Sequence, residues 1–366
     1  MAEESRRPIV LLQPHLKFGG AENQTVLIAN RIVAGGDRCV VILHRRTGGF
    51  LPELDPRVEV LDLRFESHGA IMFGAVRALL KLRAIKPRLI IVRLWSSIML
   101  VGLIRPFLQG RVVFVEDLDP RSHRDFIRFG AIKQAVIRLV FRRQRGDLVA
   151  NSRHVAQAMA SVYGLAKEPR VIHCGVDPER VLVLSRRPAA RPVPQTRALR
   201  VVTVGSLVER KGVRQVFRAL ADFDQAIQWI VVGEGPLGDW LREQSSNVPH
   251  LDLQLVGAQA NPFPYIAAAD VMVHGAQSES LGLVILEALA LGTPVAAHEA
   301  NGPREIAAVL NTPQLRLFDV SRPETLNLIL RDVEGRARER QAVDLGPFLI
   351  ENCVESLLAL GVDHTI

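Results

Sequence analysis

Apolar residues fall into short β-branched runs separated by longer stretches with helical spacing, and this alternation is played through twice along the chain. The first series is Ile9 to Leu12, Cys39 to Leu43, Val58 to Leu61, Leu89 to Val92, Val112 to Val115 and Leu148-Val149. The second is Val201 to Val204, Trp229 to Val232, Leu253 to Val256, Val271 to Val273 and Pro294 to Ala297. Such runs predict buried strands in parallel sheets with helices on both faces. Between the series, residues 185–198 hold three prolines and no apolar periodicity, as a linker would. The predicted organisation is a first domain over 1–180, a linker over 181–198, a second domain over 199–345, and a final helix within 346–366 that is able to return to the first domain. The fold class is α/β, with two Rossmann-like, doubly wound domains. Facing one another, these would leave a cleft lined by strand carboxyl ends, where ligands of open α/β sheets bind.

Composition narrows the class. With 366 residues, 48% of them apolar, the chain can bury a large core and is too long for one ordinary domain. Charged residues at 23% are ordinary globular usage and exclude disordered, collagenous and coiled-coil chains. Cys39, Cys174 and Cys353 are isolated, so neither a disulfide framework nor a structural zinc site is indicated, and a cytoplasmic setting is expected. The N-terminus lacks the pattern of a signal peptide, so export is not expected. Leu89 to Ile104, the most apolar stretch, contains Arg93 and two serines and reads as a strand followed by a helix rather than a membrane span.

Charge changes the picture more than composition does. Residues 1–150 hold 25 Lys and Arg against 14 Asp and Glu, a balance of +11, whereas the remainder balances at −3. Between Arg121 and Arg145 eight basic residues (Arg121, Arg124, Arg128, Lys133, Arg138, Arg142, Arg143 and Arg145) accompany a single acid, Asp125. Interleaved apolar residues from Phe126 to Phe141 make an amphipathic helix with a cationic face. Such a helix suits an anionic membrane surface, and it equally suits a solvated face packed on its own domain. Nucleic acid is not an expected partner, because aromatics are only 5% and no RNA- or DNA-binding pattern is present.

The chemistry-bearing residues follow predicted strands. After the first run comes Lys17-Phe18-Gly19-Gly20-Ala21-Glu22, where paired glycines let backbone N–H groups approach a phosphate or sugar. A tight structural turn would use the same glycines. The second domain opens with Gly205-Ser206-Leu207-Val208-Glu209-Arg210-Lys211-Gly212, and its adjacent cations can neutralise a diphosphate. Gly257-Ala258-Gln259 follows the third strand of this domain. Ser278-Glu279-Ser280-Leu281-Gly282 then runs into an apolar helix carrying Glu287. In uninterrupted helix Glu279 and Glu287 would be about 12 Å apart, too far for a carboxylate pair and suited instead to two anchors on one elongated ligand.

Taken in order, these pieces resemble the retaining glycosyltransferases of family 4, which have the two-domain GT-B fold. The matching elements are Gly19-Gly20-Ala21-Glu22, Ala150-Asn151-Ser152, Gly175-Val176-Asp177, Arg210-Lys211-Gly212, Gly233-Glu234-Gly235-Pro236, Asn261-Pro262 with Ala269-Asp270, Glu279 to Glu287, Leu291-Gly292-Thr293-Pro294 and Gly302-Pro303-Arg304-Glu305. They look most like members that use UDP-sugars to build polysaccharides or lipid-linked glycans. The resemblance implies a donor site in which Arg210 and Lys211 hold the diphosphate, with Gly19, Gly20 and Gly205 approaching it. Glu279 would contact the donor sugar, with Ser280, Leu281 and Gly282 beside it. Glu287 would hold the ribose, and the backbone from Gly257 to Gln259 would meet the base. It also implies no metal and no cofactor beyond the nucleotide-sugar, positive side chains taking the place of magnesium.

Three departures from the family pattern matter. Ser206 stands where an Arg is frequent. Glu116-Asp117-Leu118-Asp119 stands where a His is common, so Asp117 or Glu116 is the candidate to orient the acceptor hydroxyl, His123 lying too late to substitute. Cys174 replaces a frequent Asn and reads as packing. Glu279 is the one obvious carboxylate for a double displacement, although the resemblance gives it a binding role. His274 and His298 read as structural. The expected activity is transfer of a hexosyl or N-acetylhexosaminyl group to a glycan or lipid-pyrophosphate-linked acceptor, at a peripheral site on the inner face of the plasma membrane. The rivals are a UDP-sugar 2-epimerase and a non-catalytic, membrane-associated scaffold that keeps the nucleotide pocket.

Overall fold

The computed structural model describes residues 7–65, 71–122, 130–143, 147–194, 196–334, 340 and 343–361. His123, Arg124, Asp125, Phe126, Ile127, Arg128, Phe129 and Arg145 of the predicted basic helix lie outside them. The chain divides into two compact units, one formed by Met1–Gly175 with Pro347–Ile366, the other by Val176–Gly346.

Among the described residues of the first unit, seven parallel strands lie in the order β3-β2-β1-β4-β5-β6-β7. They are β1 (Ile9–Gln13), β2 (Cys39–Leu43), β3 (Glu59–Asp62), β4 (Leu89–Arg93), β5 (Arg111–Glu116), β6 (Asp147–Ala150) and β7 (Arg170–Val171). Alternate residues of each central strand face opposite layers. Val10 and Leu12 join a core roofed by α2 (Ile71–Ile85), α3 (Trp95–Ile104), α4 (Gly130–Arg143) and α5 (Arg153–Tyr163). Ile9 and Leu11 join a second core under α1 (Gly20–Ala34) and the C-terminal helix α13 (Ile350–Ala359). The tail predicted as a final helix thus packs on α1 through Ile350, Cys353, Val354 and Leu357. Local signals set the ends of α5. Ser152 Oγ accepts from the Val155 N–H at its start, and Gly164, at φ 61°, closes it in the left-handed region.

In the second unit six parallel strands are described, ordered β10-β9-β8-β11-β12-β13. They are β8 (Leu199–Val204), β9 (Ile227–Val232), β10 (Leu251–Gly257), β11 (Val271–His274), β12 (Val295–His298) and β13 (Leu315–Phe318). On one face, α7 (Val213–Ala221), α8 (Gly238–Ser245) and α12 (Pro323–Glu334) close over Trp229, whose Nε1–H donates to Thr203 Oγ1 at 2.9 Å. Both sheets are doubly wound, as the alternation of runs predicts, and in each the strand order reverses at a switch point, between β1 and β4 or between β8 and β11.

The expected linker is corrected at its start. Residues 178–185 form α6 (Pro178–Ser185), capped by Asp177, whose carboxylate accepts from the Arg180 N–H at 2.9 Å. This helix packs on α9 (Phe263–Ala268) and α10 (Leu283–Ala290), and Asn261 Nδ2 donates to the Leu184 carbonyl at 2.8 Å. It belongs to the second unit, where Val181 is its buried residue.

Candidate functional site

The switch point of the second unit gathers most of the predicted donor residues. The loop after β8 ends in a 3-10 turn, Glu209–Lys211, closed by Gly212 at φ 66°. A side chain at Gly212 would run into the Gly275 carbonyl, so glycine is required where the loops after β8 and β11 touch. That contact brings Lys211 to the loop after β11. Its Nζ lies 2.6 Å from Glu279 Oε2, and His274 Nε2 lies 3.3 Å from the same oxygen. Burial pushes the Glu279 carboxyl up, but the Lys211 ammonium and His274 outweigh it, and the net shift is well below the usual carboxylate range. Glu279 is therefore ionised in the free protein and Lys211 is held in place before any ligand arrives.

Glu279 is in the loop and Glu287 in the second turn of α10, as predicted from the sequence. Gly282, at φ 102°, starts that helix with Ser280 and Leu281 just ahead of it, so its free N–H groups and partial positive charge point toward the loop carrying Glu279. Desolvation pushes Glu287 up to about 7, opposed by Arg180 of α6. Gly205 and Gly257 have positive φ, and a methyl group added at either would meet nothing within 4 Å, so both border open space. Gln259 Nε2 donates to the Val256 carbonyl at 2.7 Å, which fixes the turn after β10. Ser206 and Arg210 are exposed. Of the two histidines read as structural, His298 lies against the backbone of Phe318 and Val320, whereas His274 joins the Glu279 cluster.

The switch point of the first unit holds a different group. Gly19 caps α1, and a Cβ there would collide with the Glu22 carboxylate folded back over it. Gly20 is the first residue of α1. His15 Nδ1 lies 3.4 Å from Glu22 Oε1, and burial, with Lys17 adding, lowers the His15 pKa, so its ring is neutral near pH 7. Burial raises the Glu22 carboxyl, with Asp117 adding to the rise and Arg93 opposing it. Arg93, at the end of β4, grips Asp117 through Nη2–Oδ1 at 2.5 Å and Nε–Oδ2 at 3.1 Å, with both side chains at most 6% exposed. Asn151 Nδ2 donates to the Asp117 carbonyl at 2.9 Å.

This arrangement places both acceptor-side candidates in the interior. Glu116 is 2% exposed, its Oε2 3.5 Å from the Tyr163 hydroxyl, and burial, with Asp117 beside it, pushes it up to about 8, so it is a protonated interior acid. Asp117 has both carboxylate oxygens occupied by Arg93. The more exposed polar groups at these strand ends are His15 and Glu22, which the sequence reading left without a role. Cys174 packs against Arg93 and Asp117, in keeping with a packing role. Among the described residues, no group of three or more His, Cys, Asp or Glu gathers as a metal site would need, and no helix is long and apolar enough to cross a membrane.

Two family models match the chain. Glycosyltransferase Family 4 matches residues 18–180, and Glycosyl transferases group 1 matches residues 189–341. The chain is similar to the lipopolysaccharide core biosynthesis glycosyltransferase LpsE of Rhizobium meliloti, with 31% identity over 172 residues, 46% of this chain and 48% of that protein. It is also similar to the alpha-monoglucosyldiacylglycerol synthase of Streptococcus pneumoniae, at 32% over 104 residues, 27% of this chain and 24% of that one. These matches span half or less of each relative's length. In three dimensions it resembles Anabaena HepE crystallised with UDP and glucose, with a TM-score of 0.74, 19% identity, and coverage of 96% of this chain and 98% of that one.

Proposed function

The chain belongs to the family-4 glycosyltransferases of GT-B type, and on that premise we propose that it transfers a sugar from a UDP-sugar to a glycan or lipid-linked acceptor, with retention at the anomeric carbon and without a metal ion. The observation that carries the reading is the Lys211–Glu279–His274 cluster at the second switch point, with Glu287 in the helix that follows. Lys211 and Arg210 take the charge that builds on the diphosphate as its bond to the anomeric carbon breaks. The acceptor oxygen forms its bond on the face the diphosphate leaves, and the hydroxyl proton passes to a leaving phosphate oxygen. Glu279 holds donor hydroxyls. Its carboxylate is already engaged by Lys211 and His274, which makes it a poor nucleophile and disfavours double displacement. Glu287 accepts from the ribose diol, and the turn from Gly257 to Gln259 meets the base. The relatives' names, a lipopolysaccharide core transferase and a diacylglycerol glycosyltransferase, favour a lipid-borne acceptor. With the +11 balance of the first 150 residues, they also favour peripheral work at an anionic membrane.

Calorimetric titration with UDP-, GDP- and ADP-sugars in EDTA, comparing the native chain with Glu287→Ala, tests the donor site. Selective binding of one UDP-sugar, weakened at least tenfold by the substitution, is expected. Binding that appears only when magnesium is restored would overturn the metal-free reading. An inverted product anomer by NMR would overturn retention.

A further inference from the structure

Helix α2 carries apolar residues on every side, yet it is packed on one side only. Its fully buried residues are Gly74, Ala75, Ala78 and Leu82, with half-buried Ile71, Leu79 and Ile85 packed beside them on the core, and Gly74 abuts the Phe65 ring. Four large residues nonetheless point the other way, with Met72 64%, Phe73 54%, Val76 54% and Leu80 63% exposed. On a helical wheel these four fall within about 100° of arc, centred opposite the buried face. A surface helix ordinarily turns such residues inward.

The pattern continues onto the neighbouring helices. Helix α2 packs on α3, and α3 on α4. Arg83 Nε donates to the Phe107 carbonyl at 3.4 Å, joining α2 to the turn after α3. Leu103 and Phe107 are exposed there, as are Ile132 and Leu139 on α4. Arg77 stacks on Phe73 at 4.2 Å and Lys133 on Trp95 at 3.8 Å, so cations sit among the rings. Helices α2, α3, α4 and the 3-10 turn Arg105–Phe107 together carry eight Lys and Arg and no Asp or Glu.

We propose that this apolar face of the first unit, built on helices that carry no Asp or Glu, is a lipid-docking surface, on which Met72, Phe73, Val76 and Leu80 enter the acyl boundary of an anionic bilayer while the flanking cations meet phosphate headgroups. The inference rests on the membrane part of the function proposed above and deepens it by extending the docking surface to the apolar stripe of α2. An anionic leaflet supplies both halves of the complement, negative charge at the rim and an apolar interior beneath. A second copy of this chain supplies only the apolar half, because a symmetric pairing would set the cations of these helices against one another with no acid on the same helices to pair them.

Flotation of the full chain with phosphatidylglycerol–phosphatidylcholine vesicles, against pure phosphatidylcholine, tests the proposal. Binding to the anionic vesicles is expected. The variant Met72→Gln/Phe73→Gln/Leu80→Gln loses about tenfold or more of it, at unchanged melting temperature and UDP-sugar affinity. The variant Arg138→Gln/Arg142→Gln/Arg143→Gln loses the salt-sensitive part. Leu80→Trp, a substitution that keeps the surface apolar, should add emission that brominated acyl chains quench. Native-like flotation of the apolar triple variant, or added emission that stays unquenched in the Leu80→Trp variant, overturns the proposal. So does a native dimer that the triple variant converts to monomer. Loss of UDP-sugar binding by the native chain would instead defeat the donor site and leave the vesicle result standing.

Discussion

Glu287→Gln separates what the second unit needs for stability from what its site needs for binding. Burial lifts the Glu287 carboxyl from 4.5 to about 7, and Arg180 only partly opposes this. A folded pKa above the unfolded one means that the folded chain binds the extra proton between those values. The native state is therefore favoured at low pH and loses ground as pH climbs from 4.5 toward 7. A rise of that size corresponds to about 3 kcal/mol at most, reduced because the side chain keeps some solvent contact. Glutamine mimics the protonated acid and cannot ionise. At pH 8 the variant's second unit should be more stable by about 1–3 kcal/mol, a gain of roughly 3–10 °C in melting temperature, and the advantage should vanish by about pH 4, below the unfolded pKa. Donor affinity should move the other way, falling about tenfold or more as the ribose diol loses an ionised acceptor. Scanning calorimetry of both proteins from pH 4 to pH 8, beside UDP-sugar titrations, reads both effects. Equal stabilities across that range would refute the claim that Glu287 is held near neutrality. Greater stability with undiminished donor affinity would refute its place in the donor site.

Three further outcomes are expected. Glu279→Gln strands Lys211 and should destabilise the second unit by about 1–3 kcal/mol at pH 7. Because the Glu279 pKa is depressed, this contribution is present above the unfolded carboxylate pKa and fades on acidification, so urea midpoints of the two proteins should converge as pH falls. Arg93→Met leaves Asp117 buried and unpaired at a cost of about 3–5 kcal/mol; adding Asp117→Leu should recover most of it in urea unfolding, and no recovery would mean that the pair is not the cause. Gly212→Ala combines a left-handed backbone with a collision at the Gly275 carbonyl and should cost about 2 kcal/mol or more, displacing Lys211 and lowering turnover. Native-like turnover would show that the two loops need not touch.

Most of the fold was legible because buried parallel strands are apolar throughout: Cys39 to Leu43 is β2 residue for residue, and the Arg93 that interrupts the apolar stretch from Leu89 to Ile104 marks the end of β4. The edge strands β7 and β13 escaped notice, since Arg170–Val171 is two residues long and Leu315–Phe318 is interrupted by Arg316. The placing of Glu279 in a loop and Glu287 in the helix after it was legible from spacing, because the two are tied to one local stretch of chain. Partners distant in sequence were not. Nothing in the sequence says that Lys211 meets Glu279 across 68 residues, or that Arg93 closes on Asp117 across 24, since such pairings follow from strand order. The burial of Glu116 was hidden for the same reason. Adjacent residues at a strand end point to opposite faces, and only the packing shows that both acids are interior, Glu116 beside Tyr163 and Asp117 against Arg93.

The basic excess of the first half has two destinations, and net charge alone could not tell them apart. Arg88 pairs with Asp37, Arg93 with Asp117 and Arg111 with Asp147, all at strand ends where the cation fastens one element to another. The exposed cations Arg83, Arg138, Arg142 and Arg143 stand instead on helices without an acid of their own. A solvated face would explain those charges, since Lys and Arg are ordinary on surfaces. It leaves unexplained why the same helices turn Met72, Phe73 and Leu80 outward and keep Gly74, Ala75 and Ala78 within. Full burial of such a residue is worth about 1.5–3 kcal/mol, and α2, with four of them 54–64% exposed along one stripe, forgoes roughly half of that at each. That sum, rather than the charge, is what separates a docking face from a solvated one, and neutral Gln substitutions on α2 weigh it directly because they leave every cation in place.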